Sequence, residues 1–184
     1  TFPIKGTCRR AKNADEDALL RERLVCNPKE RAEHLMIVDL ERNDLGKIAE
    51  IGSVAVEGLA YLESFPGIHH MTSSIRGTAL TAVPLDAIVR AMFPGGSITG
   101  APKLRAMEII DELENEARGV YTGIVAWISP SGSMSSSIAI RTATFADDVV
   151  RIGVGGGIVA DSVPEREWEE TEVKAQALLR ALVG

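Results

Sequence analysis

Glu167, Glu170 and Lys174 stand at i, i+3 and i+7 near the end of the chain, so a helix there places all three on one face. A fourth charged residue, Glu33, lies beside His34 among the apolar residues Leu35, Met36 and Ile37. Carboxylates converging from two helices would suit a hard cation such as magnesium, which takes oxygen ligands and leaves positions for substrate oxygens. Solvated charges on helix surfaces account for the same four residues.

Two glycine clusters follow the same logic of close approach. Gly95-Gly96-Ser97-Ile98-Thr99-Gly100 runs into a helix start and is a candidate anion cradle, or else a structural turn. It is not a nucleotide phosphate loop, because Lys103 follows Pro102 and no Ser or Thr comes after it. A carboxylate would fit it better. The second cluster, Gly153-Val154-Gly155-Gly156-Gly157, falls inside a strand pattern, which marks a bulge or a backbone approached by a ligand. The residues after it are Ile158-Val159-Ala160, so a dinucleotide-binding turn is rejected.

Arg141 sits in the apolar run Ile138–Thr142 and shares a face with Ala139 and Ala143 if that run is a strand. An arginine with small neighbours can grip a carboxylate in bidentate fashion, or form an ordinary ion pair. His69 and His70 point to opposite faces of a strand, so at most one serves a given site. Lys5 lies before Gly6, where the backbone can be approached closely; it is a surface lysine by default and a nucleophile or base if buried beside a site.

These residues need elements to hold them. Residues 11–26 are charge-dense with Leu19, Leu20 and Leu24, and fit a short amphipathic helix. Asn27-Pro28-x-Glu30 opens another as a capping box, expected to run to about Asn43. Ala49–Thr78 reads as three strands, Pro84–Phe93 as a short helix, and Pro102–Leu113 as a helix after the glycine loop. Val120–Ser129, Ser135–Phe145 and Val149–Val159 read as an antiparallel meander. Ser162-x-x-Glu165 with Pro164 predicts a capping box and a last helix with Trp168, Ala175, Leu178, Leu179 and Leu182 as its buried stripe. Separate runs of strands and helices make the class α+β, with antiparallel sheets and helices packed outside them.

The chain of 184 residues, 45% hydrophobic, carries enough apolar material for one domain spanning 1–184. A net charge of −6 argues against a nucleic-acid footprint. There is no apolar run of about 18 residues or more, so no membrane span is expected. Cys8 and Cys26 lack metal-like spacing, which fits a reduced, cytoplasmic setting. The abrupt opening on Thr1-Phe2-Pro3 suggests a portion of a longer protein.

Taken in order, the segments PIKGT, ERAEHLMIVDLERND, IHHMTSSIRG, FPGGSITGAPKLRAMEIIDELE, SSIAIRT and GGGIVADSVPEREWEETEVKA resemble the chorismate-binding enzymes, from Pro3 to about Leu182. That family holds anthranilate, aminodeoxychorismate, isochorismate and salicylate synthases. The resemblance implies the C-terminal portion of such a domain, with the family's N-terminal strands absent. It implies magnesium held by Glu33 and Glu170 with Glu167 close by, and His70 beside the ring near the departing hydroxyl. It implies a pocket for the enolpyruvyl carboxylate at Arg141, Gly155 and Gly157, a ring-carboxylate contact at Lys174 and a hydroxyl contact at Ser97.

Within the family, PIKGT and FPGGSITGAPK look most like the aminodeoxychorismate synthase branch, because anthranilate synthases carry alanine where this chain has Lys5. The branch implies Lys5 as a covalent nucleophile, ammonia from a glutamine amidotransferase subunit or domain, and a product leading to para-aminobenzoate and folate. The alternatives are an anthranilate synthase or a catalytically silent chorismate-binding fragment. The chain departs from the family pattern at Trp127, usually Tyr, at Cys8-Arg9-Arg10, usually Arg-Pro-Arg, and at His34, commonly Asn.

Overall fold

Asn13 and Asn27 start the first two helices by the same device. In the computed structural model, which describes residues 1–160 and 162–183, Asn13 Oδ1 accepts from the N–H groups of Asp15 and Glu16 at 2.8 and 3.3 Å. Helix α1 then runs Ala14–Cys26. Asn27 Oδ1 accepts from Lys29 and Glu30 at 3.0 and 3.3 Å, Pro28 fills the first turn, and α2 runs Pro28–Gly46. The expected capping box is half made, since the Asn27 N–H is spent on the Leu24 carbonyl. Helix α2 continues past Asn43 because Asp44 is buried and held in helical geometry by inward ion pairs.

The chain divides into two compact units, Thr1–Ala106 and Met107–Gly184. In the first, strand β1 (Ile4–Arg9) precedes the two helices, and β2 (Ala55–Ser64) and β3 (Ile68–Arg76) follow them. The three strands form one antiparallel sheet in the order β1-β3-β2. Helices α1 and α2 pack on this sheet, and Leu24, Ile37, Val38, Met71 and Ile75 form the core between them. Each such side chain contributes about 1.5–3 kcal/mol by burial. Of the three strands expected over 49–78, two form. Ala49 makes only an isolated bridge to Ala79, and Gly52, at φ 80°, turns the chain before β2 begins.

Both outer strands slip against β3. On β1, Ile4 faces Thr72 and Thr7 faces His70, so β1 spends three steps where β3 spends two. The extra residue lies at Lys5-Gly6, with Gly6 at φ 98°. On β2 the register breaks between Gly58 and Tyr61, where Ala60 has φ 51°. The unit closes with α3 (Leu85–Met92), a single helical turn α4 (Gly96–Thr99), and the start of α5 (Lys103–Leu113).

The second unit carries two hairpins where a three-stranded meander was expected. Strands β4 (Ile124–Ile128) and β5 (Met134–Ile138) pair in one, β6 (Ala143–Ala146) and β7 (Val149–Ile152) in the other. The predicted strand 135–145 breaks after Ala139, which still bonds to Gly123 and Thr122, because the Ile140 N–H folds back on the Ile138 carbonyl and Arg141 turns the chain at φ 51°. The turn Asp147-Asp148 has two positive φ values, 50° and 61°, the geometry a two-residue hairpin loop requires.

Helix α6 (Pro164–Val183) ends the chain. The Ser162–Glu165 capping box does not form. The Glu167 and Arg166 N–H groups bond to the Val163 carbonyl, so the helix starts one residue later than Ser162 would cap, and Ser162 Oγ turns back to accept from the Val159 N–H at 3.0 Å. The expected buried stripe is corrected as well: Ala175 and Leu178 are half-buried, but Leu179, Leu182 and above all Trp168 (67% exposed) face solvent. The class is α+β. No helix among the described residues is long and apolar enough to cross a membrane.

Candidate functional site

In the first unit, the slip in β1 and the second turn of α2 bring Lys5 and Glu33 together. Lys5 Nζ lies 2.8 Å from Glu33 Oε2, and Lys29 Nζ lies 3.8 Å from Glu33 Oε1. The Glu33 side chain is 18% exposed, so its charge is matched by two ammonium groups while still reaching solvent. Adjacent to it on α2, His34 is fully buried. Its Nδ1 lies 3.0 Å from the Lys5 carbonyl and its Nε2 2.6 Å from Ser73 Oγ. A carbonyl can only accept, so Nδ1 carries the proton and Nε2 accepts from the serine hydroxyl. Burial pulls the imidazole below its ordinary pKa; the bond to Lys5 works against this.

The adjacent histidines of β3 do part company. His69 is buried, with Nε2 3.1 Å from Asp17 Oδ1 and Nδ1 2.8 Å from Ser64 Oγ. Asp17 also accepts from the Ala11 N–H at 2.9 Å and from Arg10 at 3.1 Å. The Ala11 bond first, then His69 and Arg10, hold Asp17 well below the usual carboxylate range against the opposing effect of burial. His70 lies on the other face, its Nδ1 2.8 Å from Thr7 Oγ1 and its ring edge-on to Phe65 at 5.7 Å. Thr7 was not singled out from the sequence, although it is the last residue of PIKGT.

Ser97 is exposed in the turn α4. Of the glycine-loop N–H groups, those of Ile98, Thr99 and Gly100 bond inside that turn. Gly96 is buried against Leu40, whose Cβ lies 3.1 Å from where a Gly96 Cβ would be. A buried pair frames the loop: Lys103 Nζ donates to Asp44 Oδ2 at 2.6 Å and to the Ala91 carbonyl at 3.4 Å. The one sequence signal for this pair was a lysine just past a glycine loop.

In the second unit, α6 meets the glycine segment. Lys174 Nζ donates to the Gly155 carbonyl at 2.9 Å and pairs with Glu170 Oε1 at 2.6 Å, so the expected shared helix face forms. Glu167 Oε1 accepts from Ser162 Oγ at 2.6 Å, and a Cβ on Gly156 would come within 3.0 Å of Glu167 Oε2. Gly156, Ser162, Glu167 and Trp168 line a cleft of about 390 Å³. The expected strand through the glycines ends at Ile152.

Tyr121 explains the segment's composition. A Cβ on Gly153 would lie 2.1 Å from Tyr121 Cγ, and one on Gly155 2.8 Å from its hydroxyl. Burial raises the Tyr121 pKa, with Arg118 opposing. Gly157 has open space around it. Arg141 is not in a strand as expected; it is exposed in the left-handed turn between the hairpins.

Glu33, Glu167 and Glu170 are oxygen donors of the kind magnesium takes. Each oxygen set here meets an ammonium or hydroxyl donor. Among the described residues, no group of three or more His, Cys, Asp or Glu stands ready to hold a metal ion. The donor chemistry fits a hard cation.

Residues 1–180 match the family described as chorismate binding enzyme. The chain is 50% identical over 182 residues to anthranilate synthase component 1 of Aquifex aeolicus, covering 99% of this chain and 37% of that protein. It is 48% identical over 182 residues to aminodeoxychorismate synthase component 1 of Klebsiella aerogenes, covering 99% of this chain and 40% of that protein. The crystal structure of anthranilate synthase component I from Streptococcus pneumoniae superposes with a TM-score of 0.83 at 39% identity, over 95% of this chain and 43% of that one. The chain therefore spans well under half the length of the curated relatives it matches.

Proposed function

The chain belongs to the chorismate-binding enzyme family, and from that premise we propose that it is part of an enzyme that aminates chorismate to 4-amino-4-deoxychorismate, on the route to para-aminobenzoate and folate. The observation that carries this reading is Lys5, displayed by the slip in β1 and held 2.8 Å from Glu33. Identity alone does not choose the branch, since 50% to an anthranilate synthase and 48% to an aminodeoxychorismate synthase are equivalent.

In this reading Lys5 gives its ammonium proton to the departing ring hydroxyl, which leaves as water, and the amine so freed forms the bond to the ring of chorismate. Ammonia then forms the new carbon–nitrogen bond at the carbon that bore the hydroxyl, and the bond to Lys5 breaks, returning the amine. One hard displacement becomes two easier ones. His70, whose Nδ1 lies 2.8 Å from Thr7 Oγ1, serves near the departing hydroxyl. Arg141, Lys174, Ser97 and the backbone at Gly155 and Gly157 bind the substrate's carboxylates and hydroxyl. Glu33, Glu167 and Glu170 would hold magnesium, whose chemistry when bound is Lewis-acid assistance to the leaving group. A glutamine amidotransferase subunit or domain supplies ammonia.

The test uses the full-length protein with chorismate, magnesium and ammonia, followed by chromatography of the products. The expected product is aminodeoxychorismate, lost in Lys5→Ala. Anthranilate as the main product would replace this reading with the second one, an anthranilate synthase, to whose Aquifex aeolicus relative the chain is equally similar.

A further inference from the structure

Both strands that flank β3 slip against it, and a single side-chain chain joins the slip at Lys5-Gly6 of β1 to the slip between Gly58 and Tyr61 of β2 through the core. The Ala60 N–H, at the slip in β2, donates to Ser73 Oγ at 2.9 Å. Ser73 Oγ–H points to His34 Nε2 at 2.6 Å, and His34 Nδ1–H donates to the carbonyl of Lys5, at the slip in β1, at 3.0 Å. Ser73 and His34 are both wholly buried. Each slip takes a backbone group out of the regular ladder, and a buried group left without a partner costs about 1–3 kcal/mol. The His34–Ser73 chain supplies both partners, and no buried side-chain nitrogen or oxygen among the described residues lacks one.

The two ring nitrogens therefore have separable jobs. Nε2 satisfies a serine within the core. Nδ1 reaches across from α2 to Lys5 of β1, whose side chain returns to α2 at Glu33. We propose that His34 is a positioning residue: its Nδ1–H bond to the Lys5 carbonyl fixes the β1 bulge and so fixes where the Lys5 amine stands relative to Glu33. The consequence for turnover rests on Lys5 being the nucleophile; the consequence for the place of Lys5 does not.

Two polar substitutions divide the ring. His34→Asn keeps an N–H where Nδ1 stands and loses the reach to Ser73; His34→Gln reaches Ser73 and withdraws the donor from Lys5. A purely structural role treats both as equal damage to a buried site. Positioning predicts an asymmetry, read in full-length protein by two measurements. The first is the rate at which an amine-acylating reagent labels Lys5, followed by peptide mass spectrometry with Lys12 as internal reference. Labelling should match wild type in His34→Asn and be several-fold faster in His34→Gln, as Lys5 leaves Glu33. The second is steady-state amination, where His34→Gln should lower kcat by about 100-fold, as expected of a reacting group displaced by on the order of 1 Å, with KM for chorismate little changed.

Equal labelling rates in the two variants would overturn the proposal. If His34→Gln does not fold, Ser73→Ala takes its place: it leaves the Nδ1–H donor on the Lys5 carbonyl, so Lys5 labelling should stay at the wild-type rate, and faster labelling there would overturn the proposal. A wild-type enzyme that yields no aminated product defeats the functional reading but leaves the labelling comparison to judge His34.

Discussion

Lys103 Nζ lies 2.6 Å from Asp44 Oδ2, joining residues 59 apart in sequence. The Asp44 side chain is 2% exposed and that of Lys103 15%. The pair ties the end of the glycine loop to the helix that carries Glu33, and the same ammonium reaches back to Ala91 just before the loop. Lys103 is therefore a clamp on the loop rather than a phosphate ligand within it.

Lys103→Met strands the Asp44 carboxylate in the core with the half-exposed Lys47 beside it. The expected loss is about 3 kcal/mol of unfolding free energy, because removing one partner of a buried pair leaves an uncompensated charge. Replacing both residues, as Asp44→Leu with Lys103→Met, should cost less than the two single changes summed. Urea titrations of the four proteins measure it; additive losses would show that the pair does not act as a unit.

Asp17 sets a pH dependence whose sign follows from its surroundings. Its pKa in the folded chain is depressed, by the Ala11 N–H first and then by His69 and Arg10. The unfolded state therefore binds more protons than the folded one below the ordinary Asp value of about 3.9. The stabilisation is complete above that value and is lost as pH falls below it. The urea midpoint should decline below about pH 4 in wild type and decline less in Asp17→Asn. Parallel slopes would remove Asp17 from the acid response.

What the sequence displayed well were features whose cause is local. The Asn27 cap, the Pro28 helix start, the α+β class and the Glu170–Lys174 face rest on spacing within one element, and the structure has them. Partnerships over long sequence separations were not legible. Nothing near Asp44 announces Lys103, and nothing near His34 announces that its ring spans from Lys5 to Ser73. Strand limits failed for a different reason. Arg141 looked like a strand residue by alternation, but the Ile140 N–H folds back on the Ile138 carbonyl and the chain turns at Arg141, a conformation that alternation does not display. The glycines at 153 and 155 were flagged as close approaches, yet the group approaching them within this unit is Tyr121.

Gly153→Ala places a methyl where Tyr121 Cγ lies 2.1 Å away. Overpacking of this sort costs about 1–3 kcal/mol. The double variant Gly153→Ala with Tyr121→Ala removes the ring that clashes, so the added cost of the methyl should nearly vanish in the Tyr121→Ala background. Thermal melts of the four proteins test this, and a methyl penalty independent of residue 121 would contradict it.

Glu33→Gln and Glu170→Gln test the proposed magnesium ligands from the two units separately. Calorimetric titration of chorismate into the full-length protein, with and without magnesium, should show an affinity gain from the ion in wild type. That gain should disappear in each variant. A variant that retains it has lost no ligand.

The extra residue at Lys5-Gly6 also changes what counts as a conservative edit of this chain. Deleting Gly6 would let β1 and β3 pair without interruption, with Ile4 still opposite Thr72 and Thr7 still opposite His70. Lys5 would then fall opposite Met71, whose side chain is wholly buried, and residues directly opposite in an antiparallel pair share a face. The more regular sheet would send its ammonium into the core. Shortening this strand to tidy it would thus trade a reachable amine for an unbroken ladder, and a one-residue difference in length here would separate chains that can present Lys5 from chains that cannot.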